Sequence, residues 1–224
     1  MVQNLFWMNW VPEFLQIQYT GPPGQYDHHP NRLGIAVKLC EMKEIRIHGR
    51  GGMGAVKAAE IIVWAKVAGG GYGCSLPFFG FERQGAPVTA FVKLDESPIR
   101  PKTQVYDPDC VIVLDPTIQN AVDVFEGMKE GGAFVLNTAE ESANVEVPET
   151  VRRVATVNAT DIALERLGRA VTNTAMLGAF VKCTGWVSLE EIVAKVEEYW
   201  GKENAALVEE AHDLTRIREL DGRV

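Results

Sequence analysis

The sequence predicts a single α/β domain with a mostly parallel, Rossmann-like sheet and helices on both faces. Three observations carry this. The alternating run Glu44-Ile-Arg-Ile-His48 passes directly into Gly49, Gly51, Gly52 and Gly54, and then into an apolar, helix-forming run through Ala68. Two further runs, Cys110–Leu114 and Ala133–Leu136, are apolar without alternation, as strands buried on both faces are. From Met42 onward strand-like and helix-like segments alternate, the order that a parallel sheet covered by helices requires.

Taken in order, Glu44–His48 is the first strand. Met53–Ala68 is a helix, with Ala55, Ala58, Ala59, Ile62 and Val63 on its apolar face, and Gly69-Gly-Gly-Tyr-Gly73 breaks it. Val88–Leu94 is rich in β-formers and is closed by Pro98 and Pro101. Cys110–Leu114 ends in Asp115-Pro116. Ile118–Met128 reads as a helix stopped by Glu130-Gly-Gly132, and Ala133–Leu136 follows as a buried strand. Val151–Val157 is a strand, after which Asn158 and Thr160 lead into a helix from Asp161. Ala170–Lys182 is apolar and helical and ends near Gly185. Ser188 with Glu191 three residues on is a capping box for the next helix. Gly201 interrupts, and Glu203–Leu220 reads as a last amphipathic helix.

Residues 1–41 differ from the rest. They hold Trp7 and Trp10 beside Phe6, then the turn-rich Thr20-Gly-Pro-Pro-Gly-Gln-Tyr-Asp-His-His-Pro30. The expectation is an irregular N-terminal extension, or an upstream start, before a domain spanning 42–224. The sharper alternative is a partner-binding arm anchored by Phe6, Trp7 and Trp10. His28 and His29 are read as a solvated loop pair.

Composition narrows the function classes. Hydrophobic residues at 46% and charged residues at 23% describe a globular chain. A net charge of −8 without any basic stripe argues against nucleic-acid binding. Cys40, Cys74, Cys110 and Cys183 are scattered, without C-x-x-C or ferredoxin spacing, so no cluster or zinc is expected in this chain. Cys74 and Cys110 read as buried, inert thiols. Unpaired cysteines suit a reducing cytoplasm. No apolar run reaches spanning length, so no membrane segment is expected, and Met1–Trp10 lacks the features of a secretory signal.

The glycine run is the first functional candidate. A helix start offers unpaired N–H groups and the positive end of the helix dipole, and glycine lets a phosphate approach the backbone. Gly49-x-Gly51-x-x-Gly54 fits the dinucleotide fingerprint, but Ile61–Phe81 holds no Asp or Glu to take a ribose hydroxyl, which counts against NAD. No Gly-Lys-Ser/Thr follows, so the Walker pattern fails. Phosphate binding and a packing turn both remain open from the loop alone. The second candidate is Leu76-Pro-Phe-Phe-Gly-Phe-Glu-Arg-Gln-Gly-Ala-Pro87, where three aromatics flank Gly80 and an ion-pair-capable dipeptide follows. It reads either as an interface or ligand lid, or as core-edge aromatics beside a solvated Glu82–Arg83 pair.

Four motifs in order then resemble one family. They are Gly49-Arg-Gly-Gly-Met-Gly-Ala-Val56, Pro77-Phe-Phe-Gly-Phe-Glu-Arg-Gln-Gly-Ala-Pro-Val88, Ser97-Pro-Ile-Arg100 and Asp107-Pro-Asp-Cys-Val-Ile-Val-Leu-Asp115. Together they resemble the gamma subunits of the 2-oxoacid:ferredoxin oxidoreductases, and Asn173-Thr-Ala-Met-Leu-Gly-Ala179 is similar to that family's later helix. The likeness runs from Lys43 to about residue 200, with Met53 where many relatives carry Gln and Gln84 where many carry Arg.

The resemblance implies an oxidoreductase complex that decarboxylates a 2-oxoacid, pyruvate by preference, transfers the acyl group to coenzyme A and reduces ferredoxin. It implies thiamine diphosphate and iron–sulfur clusters on partner alpha, beta and delta subunits, and no catalytic residue in this chain. It assigns coenzyme A to Gly49, Arg50, Gly51, Gly52, Met53 and Gly54, with Arg50 as a charge partner. Phe78, Phe79, Gly80, Phe81, Glu82 and Arg83 would form an interface or active-site lid. A stand-alone nucleotide-binding regulator is the alternative reading; an NAD dehydrogenase is disfavoured by the missing acid.

Overall fold

The computed structural model describes residues 41–78 and 85–220. The readings made on Phe6, Trp7, Trp10, His28 and His29 lie outside the described residues. The chain begins with β1 (Lys43–Arg50), which places Ile45 and Ile47 on one face and Arg46 and His48 on the other, as strand alternation dictates. α1 (Ala55–Ala68) follows and lays Ala55, Ala58, Ala59, Ile61, Ile62 and Ala65 on the sheet; its alanines permit a close approach. β2 (Tyr72–Phe78) and β3 (Pro87–Asp95) form an antiparallel pair. β4 (Cys110–Val113), β5 (Gly132–Asn137) and β6 (Val151–Val157) are the buried parallel strands. α2 (Ala159–Leu167), α3 (Thr172–Thr184), α4 (Leu189–Trp200) and α5 (Lys202–Leu214) come next, and β7 (Arg216–Glu219) closes the described chain.

Among the described residues the sheet has seven strands in the order β2-β3-β1-β4-β5-β6-β7. β1, β4, β5 and β6 run parallel, with Ile45 opposite Cys110 and Ile112 opposite Val135. The pairs β2–β3, β3–β1 and β6–β7 are antiparallel, so the parallel centre carries antiparallel flanks. Helical cover is uneven. All five α-helices described pack on the face that carries Ile45, Ile47, Ile112 and Val135. The other face, with Val111, Val113, Phe134 and Leu136, is covered by connections that include the 3₁₀ turns Pro116–Asn120 and Ser142–Asn144.

α3 is the central helix of that layer, buried from Thr172 through Val181. Gly178 lets it lie against α5: a Cβ there would collide with Val208 O and sit 2.7 Å from His212 N. This explains one glycine of the Asn173–Ala179 motif by packing alone. The expected cap also forms, with Ser188 Oγ accepting from Glu191 N at 3.1 Å.

Three element readings are corrected. Ile118–Met128 is not a helix; only the turn Pro116–Asn120 forms. One local bond and two long-range ones compete with the helix here. Asp123 Oδ1 accepts from Phe125 N at 3.0 Å, and the Arg46 guanidinium donates to the carbonyls of Val124 and Glu126. Gly127 then takes φ +71°. The last helix stops at Leu214 rather than Leu220, because Arg216–Glu219 extends and pairs with β6, Ile217 facing Ala155. Thr215 marks the change, its Oγ1 donating to Ala211 O at 2.6 Å. β2 was not foreseen, since glycines at its start and Pro77 near its end read as loop. Pro77 is tolerated because β2 is an edge strand. Cys74 is half-buried on that strand, while Cys110 is buried as expected.

Candidate functional site

The sheet reverses its direction of growth beside β1. The connection from β1 leads through α1 to β2 and β3 on one side, and the chain then crosses to β4 on the other. In open α/β sheets the crevice at the carboxyl ends of such strands is where ligands bind. Here it holds the glycine turn after β1 and Asp115–Thr117 after β4.

The glycines of the turn serve different needs. At Gly49 a Cβ would lie 3.2 Å from Leu114 Cδ1 and 3.4 Å from Ala55 Cβ, so a small residue is needed where β1 passes under α1. Gly51 is bonded on both sides, its N–H donating to Ala86 O at 2.8 Å and its carbonyl accepting from Gly85 N at 3.2 Å. Gly52 is the exposed tip, at φ +94°, with nothing within 4 Å of where a Cβ would stand. Met53 N donates to Arg50 O at 3.0 Å, and the Met53 side chain packs against the core. Gly54 caps α1 at φ +79°, left-handed backbone that a Cβ disfavours.

This leaves a set of donors. Ala58 is the first residue of α1 whose N–H is taken, by Gly54 O at 2.9 Å. The N–H groups of Gly52, Gly54, Ala55, Val56 and Lys57 have no acceptor among the described residues. Among the described residues no side chain caps α1, and no acid sits in its first turn. The helix start therefore keeps its positive potential and its unpaired donors, an arrangement suited to an anion.

Arg50 does not point its charge at an open space. Its Nε donates to Asp115 Oδ2 at 2.7 Å, its Nη2 to Thr117 Oγ1 at 2.8 Å and its Nη1 to Gly85 O at 3.1 Å. The side chain braces the turn to the end of β4 and to the segment before β3. Asp115 also caps its own 3₁₀ turn through Thr117 N at 2.9 Å. Burial raises the Asp115 pKa, but the Thr117 hydroxyl and N–H and then Arg50 outweigh it, so the carboxyl lies below its usual range. Sequence reasoning placed Asp115 at a strand end without seeing this role.

His48 precedes the turn on the opposite face from α1. It is 3% exposed, and neither ring nitrogen has a partner among the described residues. Burial, and then the nearby Arg46 charge, push it down to about 4, so it is neutral at neutral pH. That fits a strand-end histidine rather than a general base. Asn173 was known only as part of a helix motif. In the fold its amide lies against the turn, such that a Cβ at Gly54 would come 2.5 Å from Asn173 Nδ2.

Of the second candidate segment, Phe78 ends β2 half-exposed, its ring edge-on to Phe91 at 6.3 Å. Phe79, Gly80, Phe81, Glu82 and Arg83 lie outside the described residues. Among those described, no group of three or more His, Cys, Asp or Glu side chains is placed to hold a metal, and no helix is long and apolar enough to cross a membrane.

Residues 44–216 match the family profile described as pyruvate ferredoxin/flavodoxin oxidoreductase. The chain belongs to that family. The match spans all four motifs that carried the resemblance. Within the family, the chain is 49% identical over 187 residues to the "pyruvate/ketoisovalerate oxidoreductases common subunit gamma" of Thermococcus kodakarensis, covering 80% of this chain and 100% of that one. It is 46% identical over 157 residues to the gamma subunit of the NADH-dependent phenylglyoxylate dehydrogenase of Aromatoleum evansii, covering 70% and 86%. The crystal structure of the pyruvate oxidoreductase subunit PORC from Thermotoga maritima superposes with a TM-score of 0.70 at 32% identity, covering 80% of this chain and 99% of that one. The chain is thus a gamma-type subunit of an oxidoreductase complex.

Proposed function

We propose that this chain is the gamma subunit of a pyruvate:ferredoxin oxidoreductase and that it holds coenzyme A by its diphosphate. The complex would convert pyruvate, coenzyme A and oxidised ferredoxin into acetyl-CoA, CO2 and reduced ferredoxin. Partner alpha, beta and delta subunits would carry the thiamine diphosphate and iron–sulfur clusters, in the cytoplasm. The observation that carries the coenzyme A assignment is the uncapped start of α1 at the carboxyl end of β1. Backbone donors there have no acceptor among the described residues, and the ribose-binding acid of a dinucleotide site is missing from Ile61–Phe81. Holding the remote end of coenzyme A positions its thiol, which is how a subunit without reacting groups affects rate.

The relatives support a role away from the oxoacid. One is named as common to pyruvate and ketoisovalerate enzymes and another belongs to a phenylglyoxylate enzyme, at 49% and 46% identity. A chain that serves such different oxoacids is suited to a step that does not read the oxoacid side chain. Pyruvate remains the proposed substrate through the likeness to the Thermococcus and Thermotoga chains. Phe78 to Arg83 are assigned to the contact with the catalytic subunits.

Gly52→Val tests the coenzyme A site. The position is exposed and nothing stands near a Cβ, so assembly should survive, although φ +94° costs a valine about 1–2 kcal/mol locally. The variant complex should show a coenzyme A KM raised by roughly tenfold, about 1.4 kcal/mol, with the pyruvate KM unchanged. An unchanged KM and kcat for coenzyme A would remove the assignment.

A further inference from the structure

The face of the sheet opposite the helices is covered unevenly among the described residues. Over β4, β5 and β6 the chain lays its own connections, and Val111, Val113, Phe134 and Leu136 pack with Ile118, Val124 and Met128. Over β2 the cover is thinner. Gly73 faces α1, since a Cβ there would lie 3.0 Å from Val63 Cγ1. Strand alternation therefore turns Tyr72, Cys74, Leu76 and Phe78 to the other face. The edge-on contact of Phe78 with Phe91 agrees with this. Tyr72 and Phe78 remain 44% and 49% exposed, and Leu76 is half-buried. β2 is an edge strand, but Pro77 has no N–H to offer a further strand. Side chains, rather than an open backbone edge, are what this region presents.

A basic segment borders the same face. The connection 96–109 between β3 and β4 holds no helix or strand. A connection of that length without structure of its own usually serves a function. It leaves β3 at Asp95, which stands opposite Tyr72. Farther on, Thr103 Oγ1 accepts from Lys93 Nζ at 3.1 Å, and Lys93 stands opposite Cys74. The segment thus runs beside the open face of β2. From Ser97 through Tyr106 it contains no acid. Arg100 and Lys102 are exposed, and no described carboxylate pairs with either. The acids just before it are engaged, Asp95 by Ser97 and Glu96 by Lys66. Two open cations run against the net charge of −8 that the whole chain carries.

We propose that Tyr72, Leu76 and Phe78, bordered by Arg100 and Lys102, form the surface on which a partner subunit of the complex docks face-on. The partner's matching patch is apolar at its centre and carries Asp or Glu beside it. An apolar middle with a charged border is the anatomy of a protein contact, and the sign of the border selects the sign of the partner. The surface extends the contact assigned to Phe78 along the whole of β2, from the glycine-turn end to the end at Tyr72. The inference rests on that assignment and on the chain being a subunit, and not on coenzyme A or pyruvate.

The test uses the assembled complex and the purified full chain. A carbodiimide joins a lysine amine to a carboxylate that touches it, and mass spectrometry identifies the joined peptides. Lys102 should be joined to an Asp or Glu of a partner subunit, and its acetylation by acetic anhydride should be slower in the complex than in the free chain. Arg100→Glu with Lys102→Glu should leave the Tm of the free chain unchanged, because both side chains are exposed. The same pair should raise the dissociation constant of the chain from the complex about tenfold at low salt, with the loss shrinking as salt rises. Arg100→Lys with Lys102→Arg keeps the charge and should assemble like the wild type. Leu76→Ser with Phe78→Ser should weaken assembly at every salt concentration, since an apolar contact is not screened. Wild-type affinity and salt dependence in the double glutamate variant would overturn the proposal, as would a Lys102 acetylated equally fast in the complex and in the free chain. A wild-type chain that brings down no partner subunit would remove the subunit reading as well. A complex that assembles with Lys102 open removes the docking face alone.

Discussion

The two ends of the parallel strands treat charge in opposite ways. At the amino ends, Glu44 is bonded to Lys93 at 3.1 Å and to Lys129 at 3.3 Å, and Lys129 also reaches Asp109 at 3.0 Å. Arg153 is held by Glu219 and by Cys183 O, both at 2.6 Å. A cavity of about 360 Å³ lies at this end, yet most of the charged groups around it are engaged by one another or by backbone carbonyls. At the carboxyl ends the starts of α1 and α3 have no side-chain cap, and among the described residues the first N–H groups of α1 and the hydroxyls of Thr172 and Thr174 have no partner. Charges are paired at one end, and polar groups stand without partners among the described residues at the other. A fold that completes its bonds at one end can leave them open at the other, and the open end is where a ligand gains most.

The amino-end network should therefore matter to stability alone, and Lys93→Met is the strongest way to break that view. The Lys93 side chain is 4% exposed and donates to Thr103 Oγ1 at 3.1 Å besides pairing with Glu44. Removing it leaves Glu44 with Lys129 only. Breaking a buried pair costs about 3 kcal/mol or more, a Tm loss of roughly 6–12 °C in a chain of this size. The coenzyme A KM should not move. A raised KM with an unchanged Tm would mean that the two ends are not independent.

His48 sharpens the comparison at the carboxyl end through pH. Its folded pKa is lowered to about 4 by burial and by Arg46. An unfolded chain titrates this side chain near about 6.5. Between those values the unfolded state binds a proton that the native state does not. Stability is therefore full above about 6.5, falls as pH drops toward 4, and loses nothing further from this group below that. By pH 5 the loss is about 2 kcal/mol. His48→Leu should be neutral or stabilising at pH 7 and should flatten denaturant-melt stability between pH 7 and 5. Equal slopes in the two proteins would show that the imidazole finds a partner in solution.

The fold was legible where sequence period and burial agree. Cys110–Leu114 and Val151–Val157 announce buried strands, and Ser188 with Glu191 announces a helix start; all three stand within a residue of where they were read. The misreadings are tertiary. Residues 118–128 have helical composition, but Arg46 from β1 bonds the carbonyls of Val124 and Glu126, and nothing local reveals that. β2 carries glycines and a proline that an edge position tolerates and a central one would not. The glycine turn was legible as a candidate anion site because its chemistry is local. Asn173 was not, since it stands 119 positions from the glycine it touches. In the same motif Gly178 answers to packing, since a Cβ there would meet the backbone of α5.

Arg50 separates charge from geometry at the turn itself, with the smallest expected effect. If it met a phosphate directly, Arg50→Lys would keep most of the coenzyme A affinity and Arg50→Met would lose it. The structure instead shows a brace that uses Nε, Nη1 and Nη2 on three partners from two segments. Lysine has a point charge and cannot make that fork. Both substitutions should therefore behave alike, raising the coenzyme A KM about threefold by loosening the turn and costing about 1 kcal/mol of stability, since the pair is partly exposed. The two variants differ only in whether Asp115 keeps a neighbouring cation. Asp115 has a lowered folded pKa, so its contribution is present above the usual carboxylate range and is lost as pH falls through that lower value. Arg50→Met should lose more of it than Arg50→Lys. Kinetics that rank lysine near the wild type and methionine far below would make Arg50 a ligand after all, and would require its bonds to Asp115 and Thr117 to open when coenzyme A binds.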